Sequence, residues 1–332
     1  MATSTVYGPV PSWRLGRSLG IDPLLPPKTC TFDCIYCQLG KTVNKIPNPE
    51  RLKATLNVDK VTEDLETVLL RIASESIDYV TFSGTGEPTL NLQLGEMITR
   101  VKDMIGKLPV AVLTNASLLN REDVRTNLAK ADLIIAKLDA PNQKLFETIN
   151  RPAEGLRLDL IVEGLEALRQ EAPSEIALQI MLLESNDGAK YNTQPVDLEA
   201  MTELIEEIRP HEVEVNTPTR PPSEPFVRAV PPERLENIAR RFEKMLRRVK
   251  VVSRTRPTTI KWVNRKHEAL EIEIANLLTR RPCTVEDLMK ATGTKAEEVE
   301  IQLRWLMERG LVGSTRFRGR VYYEVIQSSF VL

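Results

Sequence analysis

Short β-branched or aromatic runs alternate with amphipathic segments of helical length through the middle of this chain. Residues 79–82, 110–113, 133–138, 176–183 and 213–215 read as strands. Segments 61–73, 92–105, 121–129, 156–170 and 198–208 carry helical periodicity, the first with Asp59 or Thr62 as its N-cap. Such alternation restricts the chain to βαβ units, because each helix returns the backbone to the start of the next parallel strand. Adding a strand-like piece at 18–22, about six units occupy roughly 250 residues, the size of a barrel domain. The expected class is α/β, as a partial (β/α)6-type TIM barrel, with a doubly wound open sheet as the alternative. In a barrel, functional side chains gather at the C-terminal ends of the strands.

The pattern breaks after Arg254, where 255–259 reads as a linker. Helices are expected at 268–279, at 284–292 with Thr284 as cap, and at 295–309, with Gly310 at the C-terminal glycine position. Segments 311–315 and 320–325 pair as a hairpin around Arg318-Gly319. Three helices followed by a two-stranded wing resemble a winged helix-turn-helix domain, so the expected division is 1–255 and 256–332. No stretch approaches the roughly 20 apolar residues of a membrane span. Met1-Ala2-Thr3-Ser4 has neither the basic nor the apolar part of a secretory signal, so a cytoplasmic location is expected.

A net charge of −1 provides no global attraction for nucleic acid. Of the four cysteines, three fall within Cys30-Thr31-Phe32-Asp33-Cys34-Ile35-Tyr36-Cys37. Such clustering reads as metal binding or redox chemistry rather than a disulfide framework. Three thiolates on a short loop suit one face of a cubane cluster, which usually takes four cysteines. One iron is then left for a small molecule, such as the amine and carboxylate of an amino acid. Zinc is the alternative, but a structural zinc takes four protein ligands. The candidates for the fourth, His211, His267 and Cys283, are all remote in sequence. Cys283 reads as packing in the small domain.

The C-x3-C-x2-C spacing, with Tyr36 before the last cysteine, resembles the signature of the radical S-adenosylmethionine (SAM) superfamily. Gly8-Pro9-Val10-Pro11-Ser12, Lys28-Thr29-Cys30-Thr31-Phe32-Asp33-Cys34 and Gln38-Leu39-Gly40 are similar to its wyosine-like Fe–S oxidoreductases, over about residues 6–230. The resemblance implies a [4Fe-4S] cluster on Cys30, Cys34 and Cys37, S-adenosyl-L-methionine beside Tyr36, and a reductant such as flavodoxin or ferredoxin. It also implies reductive cleavage of S-adenosylmethionine to a 5′-deoxyadenosyl radical that takes hydrogen from a substrate. A macromolecular substrate, tRNA or protein, is expected. A redox-sensing Fe–S regulator acting through the winged helix is the rival, and an electron-transfer protein a third reading.

Several polar residues stand at the ends of the expected strands. Ser83-Gly84-Thr85-Gly86-Glu87-Pro88 has two glycines that let backbone approach a ligand, although an ordinary βα turn looks the same. By resemblance it occupies the place of a Gly-Gly-Glu-like motif that contacts the methionine amine. Thr85 replaces one glycine, so backbone contacts transfer from Gly84, Thr85, Gly86 and Glu87 better than side-chain ones. Thr114 and Asn115 read as cofactor contacts or as turn chemistry. Lys137 and Asp139 lie two apart and share a strand face. Buried charges need partners. These two either serve each other or take the methionine carboxylate and its amine or ribose, respectively. Gln179 is a substrate contact or a satisfied core amide. Asn216 and Arg220, on a proline-stiffened loop, suit substrate binding, with Arg220 gripping an anionic group. No catalytic side chain is assigned.

Residues 240–266 hold eleven Lys or Arg and one acid, Glu243. They form either a solvated face or a contact for RNA or an acidic partner. Glu297, Glu298 and Glu300 stand at the end of the third small-domain helix that would approach DNA bases, whereas Arg316, Arg318 and Arg320 lie on the wing. The macromolecular partner is therefore expected at 240–266 and the C-terminal domain.

Overall fold

A computed structural model of the chain describes residues 4–186, 188, 191–244, 248–252, 260 and 270–326. The chain begins with the hairpin β1 (Val6–Ser12) and β2 (Gly16–Ile21), then the short pair β3 (Thr29–Cys30) and β4 (Asn44–Lys45). Next, α1 (Val58–Leu69) leads to β5 (Tyr79–Phe82), α2 (Leu94–Ile105) to β6 (Val110–Thr114), and α3 (Glu122–Leu128) to β7 (Leu133–Lys137). Two helices, α4 (Gln143–Asn150) and α5 (Leu158–Glu171), precede β8 (Glu175–Met181). After β9 (Leu183–Ser185), α6 (Pro195–Ile208) leads to β10 (Glu212–Asn216). β11 (Val227–Ala229) pairs back on β9, and α7 (Pro232–Glu243) leads to β12 (Val249–Val251).

Eight strands form one sheet in the order β1-β2-β5-β6-β7-β8-β10-β12. β1 and β2 are antiparallel, and every later pair is parallel. From β2 onward the order never reverses. A doubly wound sheet must reverse once to cover both faces with helices. Right-handed crossovers without reversal put every helix on one face, and the sheet curls into a partial barrel. The open-sheet alternative is overturned.

Period-two alternation explains how the strands are used. Val80, Phe82, Val112, Ile134, Ile176, Leu178 and Val213 face the helices and join the main apolar core. Their alternates Ala111, Ile135 and Ala177 meet Leu15 in a small separate cluster on the inner face. On that inner face Lys137, Gln179 and Glu214 stand in register on adjacent strands.

Three local expectations are corrected. Helix α1 starts at Val58, capped by Asn57, whose side chain accepts from Lys60 N at 3.0 Å, so Asp59 and Thr62 lie inside it. β1 was not foreseen because Pro9 and Pro11 read as loop, yet an edge strand tolerates proline. Helix α4 also escaped notice. It is eight residues long and depends on Asn142, whose side chain accepts from Leu145 N at 3.0 Å.

His211 ties β8 to β10. Its Nδ1 accepts from Ile176 N at 2.9 Å, and the His211 backbone N–H donates to Ile176 O at 2.9 Å. Burial, then the nearby Arg169, holds the imidazole below its ordinary 6.5. Protonation removes the Nδ1 acceptor. Because the folded value lies below the unfolded one, the unfolded chain takes the proton first as pH falls. The stability given by neutral His211 is therefore complete above 6.5 and is lost as pH drops through that value toward the folded one. Melting curves from about pH 8 to about pH 5 should fall more steeply for the native chain than for His211→Gln, whose amide oxygen accepts throughout. Parallel curves would contradict this role.

The C-terminal unit consists of α8 (Leu270–Arg280), α9 (Val285–Thr292) and α10 (Ala296–Glu308), followed by the antiparallel pair β13 (Val312–Phe317) and β14 (Arg320–Val325). A capping box opens α9, with Thr284 Oγ1 accepting from Asp287 N and Asp287 Oδ2 from Thr284 N, both at 3.1 Å. Ile274, Leu277, Leu288, Val299, Leu303 and Leu306 form its core, which continues into Tyr7 and Val10 of β1. The unit thus covers the exposed edge of the sheet, where unpaired strand groups are a liability. The linker 255–259 and much of the basic run lie outside the described residues. Within the described part, Lys250 and Arg248 pair with Glu212 at 2.8 and 3.5 Å. No helix among the described residues is long and apolar enough to cross a membrane.

Candidate active site

The cysteine loop leaves β3 at the C-terminal end of the barrel strands. A tight turn joins Cys34 O to Cys37 N at 3.0 Å, and Ile35 N reaches Ile149 O at 2.9 Å. All three thiols are half-buried and free of disulfides. Each sulfur faces a nitrogen donor: Lys28 Nζ is 3.2 Å from Cys37 Sγ, Asn115 Nδ2 is 3.5 Å from Cys30 Sγ, and Asn150 Nδ2 is 3.5 Å from Cys34 Sγ. Donors aimed at sulfur suit thiolates that hold an electron-rich cluster.

Burial, with help from Glu87, pushes the Cys30 thiol up to about 12, and burial with Cys37 pushes Cys34 up to about 11. Metal binding must therefore displace protons from both. Among the described residues no three His, Cys, Asp or Glu side chains converge on a single ion. Cys283 is buried in the C-terminal core, His211 sits at the opposite end of the strands, and His267 lies outside the described residues. Zinc therefore finds no fourth ligand among the described residues. A cubane binds each thiolate to a separate iron, and three free thiols on one loop, each facing a nitrogen donor, fit one face of such a cluster.

Lys28 was not singled out by sequence. It is buried, and its Nζ also donates to Gly40 O at 2.6 Å. A cation beside one cluster sulfur favours the reduced, more negative state. Lys28→Met should keep a full complement of iron yet lower the cluster's midpoint potential by on the order of tens of millivolts in a redox titration. An unchanged potential would remove Lys28 from that role.

The turn after β5 packs tightly on its neighbours. A Cβ on Gly86 would sit 1.7 Å from Thr29 O, and one on Gly84 2.2 Å from Asp22 Cγ, so only glycine permits these approaches. Glu87 is buried. Its Oε1 accepts from Thr89 N, Thr89 Oγ1 and Thr114 Oγ1 at 3.1, 2.7 and 2.6 Å, and its Oε2 from Asn115 N at 2.7 Å. Burial raises this carboxyl while these bonds pull it back. Glu87 thus ties the β5 and β6 loops together, and Asn115 continues the chain to Thr31 Oγ1 at 2.7 Å and to Cys30.

Lys137 and Asp139 share a partner in Tyr36. The Tyr36 hydroxyl donates to Asp139 Oδ2, and Lys137 Nζ lies 3.2 Å from that hydroxyl and 4.6 Å from the ring centroid. Asp139 also accepts from Asn150 Nδ2 at 2.8 Å and Met181 N at 2.9 Å. Burial, then the charge of Asp139, raises the Tyr36 phenol well above its ordinary value, so it stays a donor. Asn115, Lys137, Asp139 and Asn150 line a small cavity with Phe32 of the cysteine loop and Phe146.

Gln179, Asn216 and Arg220 are not among the residues lining that cavity. Gln179 gives its amide to Glu214 Oε2 at 2.8 Å, as a satisfied core amide does. Asn216 Oδ1 accepts from Thr217 N at 2.8 Å within its own turn. Arg220 Nε donates to Pro282 O of the C-terminal unit at 3.1 Å, and burial with the nearby Arg281 pulls its guanidinium down to about 10. Asn150 was also missed by sequence reasoning. It ends the unforeseen α4, and nothing local marks it.

The family model for the Radical SAM superfamily matches residues 24–189. A UPF0026 protein of Methanocaldococcus jannaschii is 36% identical over 245 residues, covering 74% of this chain and 73% of that protein. A UPF0026 protein of Synechocystis sp. is 42% identical over 216 residues, covering 65% and 76%. Among solved structures, that of TYW1 with a lysine-pyruvate adduct bound is similar in fold, at 19% identity and a TM-score of 0.51, covering 70% of this chain and 76% of that one.

Proposed function

Because this chain belongs to the radical SAM superfamily, we propose that it holds a [4Fe-4S] cluster on Cys30, Cys34 and Cys37 and cleaves S-adenosylmethionine reductively. When bound, the cluster supplies the electron that splits S-adenosylmethionine into methionine and a 5′-deoxyadenosyl radical able to abstract hydrogen. One observation carries this reading. Three free thiols share one loop, and Lys28, Asn115 and Asn150, from three separate segments, each set a nitrogen donor against one of their sulfurs.

The roles of the side chains follow from their contacts. Lys28, Asn115 and Asn150 donate toward the sulfurs. Gly84, Thr85, Gly86 and Glu87 present the backbone that receives the methionine amine, with Thr114 anchored beneath by Glu87. The Lys137 ammonium, held against Tyr36, attracts the methionine carboxylate. Asp139 accepts from the Tyr36 hydroxyl and from Asn150, and so orients both beside the cysteine loop for contact with the cofactor amine or ribose. Phe32 and Phe146, edge to face at 5.2 Å, form an apolar wall against water.

Residues 1–255 act as the catalytic barrel and 256–332 as a winged-helix-like module that recognises a macromolecule, RNA or protein. Arg316, Arg318 and Arg320 are exposed on its hairpin, and Ile301 and Trp305 are exposed one turn apart on α10. Arg220 joins the mouth of the barrel to this module. A flavodoxin or ferredoxin supplies the electron.

The test is direct. Protein reconstituted without oxygen, reduced with dithionite and given S-adenosylmethionine should release 5′-deoxyadenosine. No product, together with DNA affinity that follows cluster oxidation, would instead favour a redox-sensing regulator.

A further inference from the structure

The C-terminal unit reaches the loop after β5 through one buried ion pair. Arg280, the last residue of α8, donates from Nε to Asp22 Oδ2 at 3.1 Å and from Nη2 to Ser4 O at 2.9 Å. Its side chain is 2% exposed, and Asp22, just beyond β2, is fully buried. The guanidinium also lies 5.4 Å from the Tyr7 ring centroid. Asp22 Oδ2 accepts in turn from Thr85 N at 3.1 Å and Thr85 Oγ1 at 3.0 Å. Tyr7 Oη lies 2.8 Å from Ser83 Oγ, so the residues on both sides of Gly84 are held from the side of β1 and β2.

A carboxylate removed from water keeps its charge only when a cation and donors replace the solvent. Arg280, 258 residues away in sequence, is that cation. Charge-assisted bonds to the Thr85 amide and hydroxyl are stronger and shorter than neutral ones. Without Arg280, Asp22 must take a proton or admit water, and both outcomes weaken its grip on Thr85. Gly84 packs against the same carboxyl group, and Asp22 supplies the side-chain anchor of a turn that backbone bonds also tie to Ile21 and Thr29.

We propose that Arg280 is a positioning residue for S-adenosylmethionine, acting through Asp22 to hold Gly84-Thr85-Gly86 in the conformation that receives the methionine end. That role presupposes the S-adenosylmethionine site proposed above. It also makes the C-terminal unit part of the cofactor site, because a shift of α8 against β1 is transmitted to the turn.

Reconstituted holoprotein carrying Arg280→Met should keep its iron content but bind S-adenosylmethionine roughly tenfold more weakly in equilibrium dialysis, the effect size of a supporting partner behind a ligand. Hydrogen exchange at the Thr85 amide should quicken. The KM for S-adenosylmethionine should rise by the same factor while kcat for 5′-deoxyadenosine stays within about twofold. Arg280→Lys keeps a cation on Asp22 and should recover most of the affinity. Asp22→Asn provides an arm that does not depend on folding of the Arg280 variants, with the same weakening expected. Native affinity in Arg280→Met or in Asp22→Asn, or equal weakness of Lys and Met at position 280, would show that Arg280 only docks the unit. If native holoprotein with a full cluster binds no S-adenosylmethionine, the cofactor site itself is wrong, a result distinct from any pattern among the variants.

Discussion

Replacing any one of Cys30, Cys34 or Cys37 by alanine is expected to abolish both the iron–sulfur chromophore and 5′-deoxyadenosine formation, whereas Cys283→Ala leaves both intact. The three thiols share one loop, and the described structure offers no cysteine nearby to substitute for a lost ligand. A cubane with only two protein ligands has lost half of the four that such clusters usually take. The Cys283 sulfur lies in the C-terminal core with Leu277 and Leu288, where truncation removes packing and one weak bond to Arg281 O at 3.5 Å. Iron and sulfide analysis with low-temperature spin resonance separates the cases. A full cluster in Cys34→Ala would place the site elsewhere in the chain.

The second large effect is on stability. Glu87→Ala should cost about 3 kcal/mol or more in denaturant unfolding, because it strands several buried donors at once. Thr89 N, Thr89 Oγ1, Thr114 Oγ1 and Asn115 N all point at this carboxylate. Glu87→Gln keeps the shape and one accepting oxygen, so it should lose less. Its amide NH2 then faces the N–H of Asn115, a donor against a donor. A loss below about 1 kcal/mol in Glu87→Ala would mean that water replaces these bonds at little cost. Both variants should also loosen S-adenosylmethionine binding, since the tie between the β5 and β6 loops passes through this side chain.

The repeating strands and helices were legible because each depends on residues a few positions apart. Leu178 and Ile180 alternate with Gln179 and Met181 whatever the rest of the chain does. The cysteine triad was legible for the same reason, since three ligands on one loop need no distant partner. β1 was hidden by its own prolines, and α4 by its brevity. The small-domain order of three helices and a hairpin matched expectation, because its caps at Thr284 and Gly310 are local signals.

At the site, period two correctly placed Lys137 and Asp139 together, but it could not put the Tyr36 hydroxyl between them. Glu87 was read as a cofactor contact chiefly through its backbone, and nothing local showed that its carboxylate ties two loops. Gln179 finds its partner in Glu214, 35 residues on, and Arg220 finds Pro282, 62 residues on. By itself the sequence determined the parallel α/β class, the grouping of three cysteines on one loop and the turns at the strand ends, all set by short-range spacing. Only the tertiary structure decided which buried charges meet, including Asp22 with Arg280. Sheet order and the docking of the C-terminal unit bring those groups together, and burial then forces each charge to take the partner it finds there.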